Sequence, residues 1–209
     1  MSEASDPIFA RIARRYDFIN TLLTFGRELA WRRRGIALLP PGRVLDLGSG
    51  TGAADPALVG FDVVGLDPVP EMLRLSPVGD RVVAIGESMP FADESFDGVI
   101  SAYVFRNLTS IEQTLTEIRR ILKPGGKAVI VDLSRPRHPV LRFLHRVGSA
   151  ITLPLAGLIV RAPGDYWYLH KSLDKLAPVE ELYLGGPLRV ERTWRMGPFG
   201  FVYGVVLSK

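Results

Sequence analysis

The chain has 209 residues, 47% of them hydrophobic and 23% charged, a balance that excludes a disordered or fibrous protein and suits one domain (1–209) with a full core. It has no cysteine and three histidines, which excludes a disulfide framework and a thiolate metal site, so no metal is expected. The net charge of +4 rests on 21 Arg against 5 Lys, with seven arginines in the first 34 residues. These would meet phosphate, an anionic membrane face or an acidic substrate, or else form a solvated helix face.

The start, "MSEASDPIFA", lacks the charged head and apolar core of a secretory signal, so a cytoplasmic location is expected. Phe9, Ile12, Tyr16 and Ile19 recur at helical spacing and predict an amphipathic helix over residues 6–23. "ELAWRRRGIALL" (28–39) predicts a second helix, ended by Pro40-Pro41-Gly42, with Trp31 packing it onto the rest. Together residues 1–39 form an N-terminal helical cap. "RVLDLGSG", "DVVGLD", "RVVAIGES", "FDGVISAYVF" and "KAVIVDLS" then predict short strands alternating with helical stretches, hence a mostly parallel sheet covered on both faces. In this reading "FRN" (105–107) ends the fourth strand.

"TGAADPALVG" leaves room for two helical turns at most. "TSIEQTLTEIRRILKPGG" predicts the best helix in the chain, capped by Thr109 or Ser110 and stopped by Pro124-Gly125-Gly126. Residues 139–162 are the most hydrophobic stretch. Their uncharged run, 147–160, is 14 residues long and carries Pro154, too short for a bilayer span of ~20 residues. It predicts a helical cover over an apolar pocket, or a segment touching a membrane surface, within a substrate-side insertion at 139–175. "LRVERTWRMG" and "GFVYGVVLSK" around Pro198 predict two strands joined by a turn, an antiparallel edge.

"VLDLGSGTG" (44–52) is a strand followed by Gly48-x-Gly50-x-Gly52. Glycines at such a turn let backbone approach a ligand closely. A dinucleotide loop spaces its glycines G-x-G-x-x-G, and here the third comes one residue early. Asp46 just before the loop would repel a pyrophosphate and suit a cationic ligand. Asp67 ends the second apolar run, 15 residues after Gly52, placed to accept from ribose hydroxyls. Glu87 follows the third run. Three acids at successive strand ends converge on one crevice that suits a ribose, an amine or cationic centre, and no phosphate. S-adenosyl-L-methionine fits that description.

These residues resemble the class I S-adenosylmethionine-dependent methyltransferases of Rossmann-like fold, which implies a seven-stranded sheet with an antiparallel edge strand. The resemblance narrows further. "FARIARRYDFINTLLTFGRELAWRRR", "VLDLGSGTG", "GLDPVPEML", "MPFADESFDGV", "FRN", "EIRRILKPGG" and "YWYLHKSL" occur in the order found in the ubiquinone/menaquinone biosynthesis C-methyltransferases, over about residues 8–175. The resemblance implies that Asp46, Gly48, Ser49, Gly50, Thr51 and Gly52 hold the methionine part of the cofactor. Asp67, with Pro68 and Met72, would take the ribose side, and Glu87, Ser88 and Met89 the adenine side. Ala102 stands where the family often has serine, which keeps a backbone contact and loses a hydroxyl. Val104 stands where the family usually has glycine, and the chain after Ala177 lacks most of the usual last helix.

The implied reaction is methylation of a ring carbon on a prenylated quinol such as demethylmenaquinol, with S-adenosyl-L-homocysteine as product. The carbon becomes nucleophilic when the adjacent phenol loses its proton. Arg106 is a permanent cation able to stabilise the phenolate, and Asn107 beside it could hold a relaying water. Tyr16, Tyr166, Tyr168 and His170 are candidates for the ring pocket, Tyr16 being also a candidate catalytic residue. Core packing is the alternative for Tyr16, and a surface position for His170. A small-molecule O- or N-methyltransferase is the second reading, and a nucleic-acid-directed methyltransferase or binding module the third. The arginines are not interleaved with an RNA-binding motif, so no nucleic-acid partner is expected. A peripheral membrane contact and a homodimer complete the expectations.

Overall fold

The computed structural model describes residues 24, 26–159, 170, 171, 173, 174 and 179–209. The predicted helix over 6–23, and with it Tyr16, Tyr166 and Tyr168, lies outside the described residues. Seven strands form one sheet: β1 (Arg43–Leu47), β2 (Asp62–Asp67), β3 (Asp80–Val83), β4 (Phe96–Ala102), β5 (Leu122–Leu133), β6 (Arg189–Met196) and β7 (Val202–Ser208). Their order is β3-β2-β1-β4-β5-β7-β6. The first five run parallel, and β7 runs antiparallel between β5 and β6. The C-terminal hairpin around Pro198 therefore supplies the antiparallel edge.

Alternation along the strands divides the core into two layers. Leu45, Leu47, Val99 and Ile130 face one side and pack with Leu115 and Ile118 of helix α3 (Ile111–Ile121). Val44, Ile100, Val129 and Val131 face the other and pack with Trp31 and Ile36 of helix α1 (Glu28–Ile36). Trp31 meets Phe201 edge-on, with ring centroids 6.0 Å apart. Gly35 lets α1 sit close on the sheet, since a Cβ there would lie 2.9 Å from Val131 Cγ2.

Local chemistry shifts several predicted boundaries. "TGAADPALVG" makes only a 3-10 turn at Asp55–Ala57, followed by the short helix α2 (Pro70–Leu73) after β2. Ser110 caps α3, its Oγ accepting from the Gln113 N–H at 3.2 Å. The helix ends at Ile121, before Pro124, because Leu122 already has extended dihedrals and begins β5. Pro124-Gly125-Gly126 is absorbed within that strand, where the pairing with β4 shifts register between Phe96 and Gly98. "FRN" does not end the fourth strand. β4 stops at Ala102, Tyr103 turns left-handed at φ 68°, and Phe105–Asn107 form a 3-10 turn. The insertion is helical as expected, α4 (Pro139–Ile159) with Pro154 inside it. The shortened region before the edge holds the four-residue α5 (Val179–Leu182).

Candidate active site

After β1 the chain turns through Gly48, Gly50 and Gly52 at φ 73°, 55° and 83°, conformations that a Cβ would strain. At Gly48 a Cβ would also collide with the Val104 side chain. The N–H groups of Gly48 and Ser49 donate to the Leu66 carbonyl at 2.7 and 3.0 Å. Asp67 fastens the other side of the loop. Its Oδ2 accepts from the Gly50 N–H at 3.0 Å and its Oδ1 from the Val69 N–H at 2.9 Å. A crevice opens here at the carboxyl ends of β1, β2 and β4. Gly48 to Thr51, Asp67 and Met72 line one wall, and Arg32, Ala102, Tyr103, Val104 and Asn107 the other.

Buried acceptors that lack donors cluster in this crevice and just behind its lining, where Asp46 and Asp55 sit. Asp46 shares the Val44 face of β1, is 2% exposed, and its Oδ2 has no hydrogen-bond partner among the described residues. Burial pushes its carboxyl up to about 7, with Arg32 pulling it back and Asp55 and Asp67 pushing it further. Asp55, also opposed by Arg32, is raised by burial to about 6. Ser49 Oγ and Asn107 Oδ1 are buried without a hydrogen-bond partner too. Arg32, which lines the crevice, has its Nε buried without a hydrogen-bond partner as well, so the set fits a ligand that brings N–H and O–H donors, a positive charge and a carboxylate, as the methionine and ribose parts of S-adenosylmethionine do.

Not every expected residue faces this crevice. Gly52 and Pro68 flank lining residues. Glu87 is turned toward α3, where its Oε1 accepts from the N–H groups of Thr109 and Ser110 at 2.8 and 3.2 Å. Burial raises its pKa, but backbone N–H donors, that of Ser110 foremost, help to hold it below the usual range. The cause is the short third strand, which ends at Val83 and leads into a tight turn bridged from Ile85 to Ser88. Ser88 is exposed on that turn, and Met89 is packed in the core against α3, its N–H donating to Glu117 Oε2 at 2.8 Å.

A second cavity, of about 170 Å³, adjoins the first. Leu133, Leu153, Leu173 and Phe201 give it apolar walls, and Thr24, Glu28, Arg106, His145, Ser149 and Thr152 bring polar groups to it. Arg106 and Asn107 are thus divided by their turn: Arg106 lines this cavity and Asn107 the cofactor-side crevice. Arg106 is not a lone cation. Its Nη1 donates to Asp132 Oδ1 in a fully buried ion pair, and its N–H donates to Asp132 Oδ2 at 3.3 Å.

His170 is buried rather than on the surface, with Nδ1 3.0 Å from Ser149 Oγ, behind the cavity wall. Desolvation, then Arg135, lowers its pKa. Arg135 ties the whole cover together. It donates to both carboxylate oxygens of Asp174 at 2.9 and 3.0 Å, to Ser149 Oγ at 2.7 Å and to the His170 carbonyl at 3.2 Å. Its Nη1 also lies 3.3 Å from His145 Nδ1. A guanidinium only donates, so Nδ1 accepts and the His145 proton sits on Nε2. Desolvation, then Arg135, pulls His145 down to about 4, so the ring is neutral at physiological pH.

Sequence reasoning missed Tyr103, Asp132, Arg135 and His145. Tyr103 lies inside the predicted strand "FDGVISAYVF", and Asp132 repeats the acid-at-strand-end pattern that singled out Asp67. Arg135 and His145 carried no signal in spacing.

The model of the ubiE/COQ5 methyltransferase family matches residues 2–183. Among curated proteins, the chain is 37% identical over 193 residues to the demethylmenaquinone methyltransferase of Thermus thermophilus, covering 84% of this chain and 87% of that one. It is 36% identical over 194 residues to the ubiquinone/menaquinone biosynthesis C-methyltransferase UbiE of Syntrophotalea carbinolica, covering 86% and 81%. Among solved structures, a SAM-dependent methyltransferase of Thermotoga maritima shares the fold at 19% identity, with a TM-score of 0.62 over 97% of this chain and 98% of that one.

Proposed function

The chain belongs to the ubiE/COQ5 methyltransferase family and is an S-adenosylmethionine-dependent methyltransferase, and from that premise we propose that it methylates a ring carbon of a prenylated quinol such as demethylmenaquinol. The observation that supports this reading is the pair of adjoining cavities that share Tyr103, one rich in unfilled acceptors and the other walled by apolar side chains with Arg106 among them. Bound S-adenosylmethionine supplies an electrophilic methyl group on a sulfonium. Asp46 and the loop from Gly48 to Gly52 hold its amino-acid part, and Asp67 its ribose. Arg106, backed by Asp132, faces the phenol oxygen that gains charge, while Asn107 offers its carbonyl on the cofactor side. The apolar cavity orients the quinol and excludes water. Incubating the protein with methyl-labelled S-adenosylmethionine and a demethylquinol in detergent, then locating the label by NMR, should place it on the ring carbon. Label on oxygen or nitrogen, or none, would remove this reading.

The substrate's tail is membrane-soluble, and helix α4 suits delivery from a bilayer surface on the cytoplasmic side. Its inner face contributes His145, Ser149 and Leu153 to the cavity. Its outer face exposes Phe143, Leu144, Val147, Ile151, Leu155 and Leu158, each at least 44% accessible, with Arg142 and Arg146 alongside. No helix among the described residues is long and apolar enough to cross a membrane, so the contact would lie in the interface plane. Phe143→Glu with Ile151→Glu should weaken flotation with phosphatidylglycerol vesicles by about tenfold or more and leave turnover of a short-tailed quinol intact. Equal flotation of the variant would refute the contact.

A further inference from the structure

Tyr103 is held at a cost that its packing does not explain. Its main chain is left-handed at φ 68°, a region that non-glycine residues enter rarely. Its side chain is 7% exposed, and its hydroxyl has no hydrogen-bond partner among the described residues. Buried hydroxyls are nearly always bonded, and a phenylalanine would fill the same space without stranding a polar group. The ring lies under the Arg32 guanidinium, 4.8 Å from its centroid, and the main-chain N–H of Tyr103 donates to the Val131 carbonyl at 2.8 Å, so the backbone is pinned to β5 and the ring is held by Arg32. It also lines both cavities, the acceptor-rich crevice and the apolar pocket that holds Arg106. A donor standing at that junction is placed where the methyl group must pass from cofactor to acceptor.

We propose that Tyr103 is a catalytic residue whose Oη–H donates a hydrogen bond to the quinol oxygen adjacent to the carbon that is methylated. This rests on the quinol reading above. The hydroxyl keeps its proton throughout, because burial pushes its pKa well above the usual tyrosine range and disfavours the charged form. It therefore acts as a neutral donor that stabilises the developing phenolate from one side while Arg106 does so from another, and the substrate's phenol proton passes to a relaying water beside Asn107 rather than to Tyr103.

Tyr103→Phe tests the bond alone. Turnover should fall about 10- to 100-fold, the range in which losing one donor to a developing oxyanion begins. The rise of kcat with pH should move about one unit higher, because the bound phenol ionises less readily. S-adenosylhomocysteine affinity should stay as in the wild type, and the thermal midpoint should hold or rise, since no protein hydrogen bond is removed and a stranded hydroxyl is. Wild-type turnover with an unmoved pH profile would overturn the assignment. A lowered thermal midpoint accompanying the lost activity would also overturn it, in favour of a structural role. A wild-type protein that methylates no quinol would instead remove the substrate reading, and this proposal with it.

Discussion

Arg106→Ala is expected to lower the stability of the protein by about 3–5 kcal/mol as well as to stop turnover, because it leaves Asp132 as an uncompensated buried charge. Asp132 is fully buried and Arg106 is 6% exposed, so solvent cannot replace the lost partner. Against a total stability of roughly 5–15 kcal/mol, that loss would unfold a visible fraction of the enzyme. An inactive alanine variant would therefore not by itself identify a catalytic arginine. The paired substitution Arg106→Met with Asp132→Leu separates the two effects. Replacing both ends of a buried pair with apolar groups of similar volume is often neutral or stabilising. The double variant should thus regain part of the denaturation midpoint that the alanine variant loses, short of the wild type because the Arg106 and Leu133 N–H groups lose Asp132 as acceptor, yet its methyl transfer should remain reduced by about 100-fold or more. Urea melts read the first quantity and label transfer the second. A single alanine variant as stable as the wild type would mean that the pair does not hold the turn.

That pair also marks where sequence reasoning stops. The placement of Asp67 on the crevice was legible because it sits at a strand end beside a glycine turn, and parallel topology sends such ends to one crevice; Asp46 follows the same rule but lies buried behind the lining. Glu87 followed the same rule on paper. Its strand is four residues long and its carboxylate went to the N–H groups of Thr109 and Ser110, just ahead of α3, where the positive end of the helix also favours an anion. Pairing of Arg106 with Asp132 spans 26 residues, and that of Arg135 with Asp174 spans 39. Neither separation has a periodic signature, so both depend on tertiary placement. The end of β4 was misread for a related reason. "SAYVFRN" is apolar and β-branched enough to continue a strand, and only the left-handed backbone at Tyr103 stops it. The helical character of 139–159 was legible from composition, whereas the choice between covering a pocket and presenting apolar side chains outward was left open, and the helix has one face of each kind. A buried stripe is the ordinary outcome for such spacing.

The departure at Val104 leads to the second large effect, because this valine and Gly48 occupy each other's space. Gly48→Ala should weaken S-adenosylmethionine binding by about 30-fold or more. A left-handed alanine costs about 1–2 kcal/mol, and its Cβ, at φ 73°, would fall within the Val104 side chain. Overpacking of that kind adds about 1–3 kcal/mol; the free variant loop relaxes out of this conformation and must return to it on binding, and each 1.4 kcal/mol spent on that return is about tenfold in affinity. Val104 is 7% exposed and closed in by the turn that carries Arg106 and Asn107, so it cannot swing aside without moving those residues. Val104→Gly combined with Gly48→Ala should remove the overpacking and leave the backbone cost, recovering affinity to within about tenfold of the wild type. Gly52→Ala serves as the control. Its Cβ would meet Asp55, Pro77 and Ser76 instead, so Val104→Gly should not rescue it. Titration calorimetry with S-adenosylmethionine measures all four variants. Equal rescue of both alanine variants, or of neither, would show that Val104 does not set the width of the crevice at Gly48.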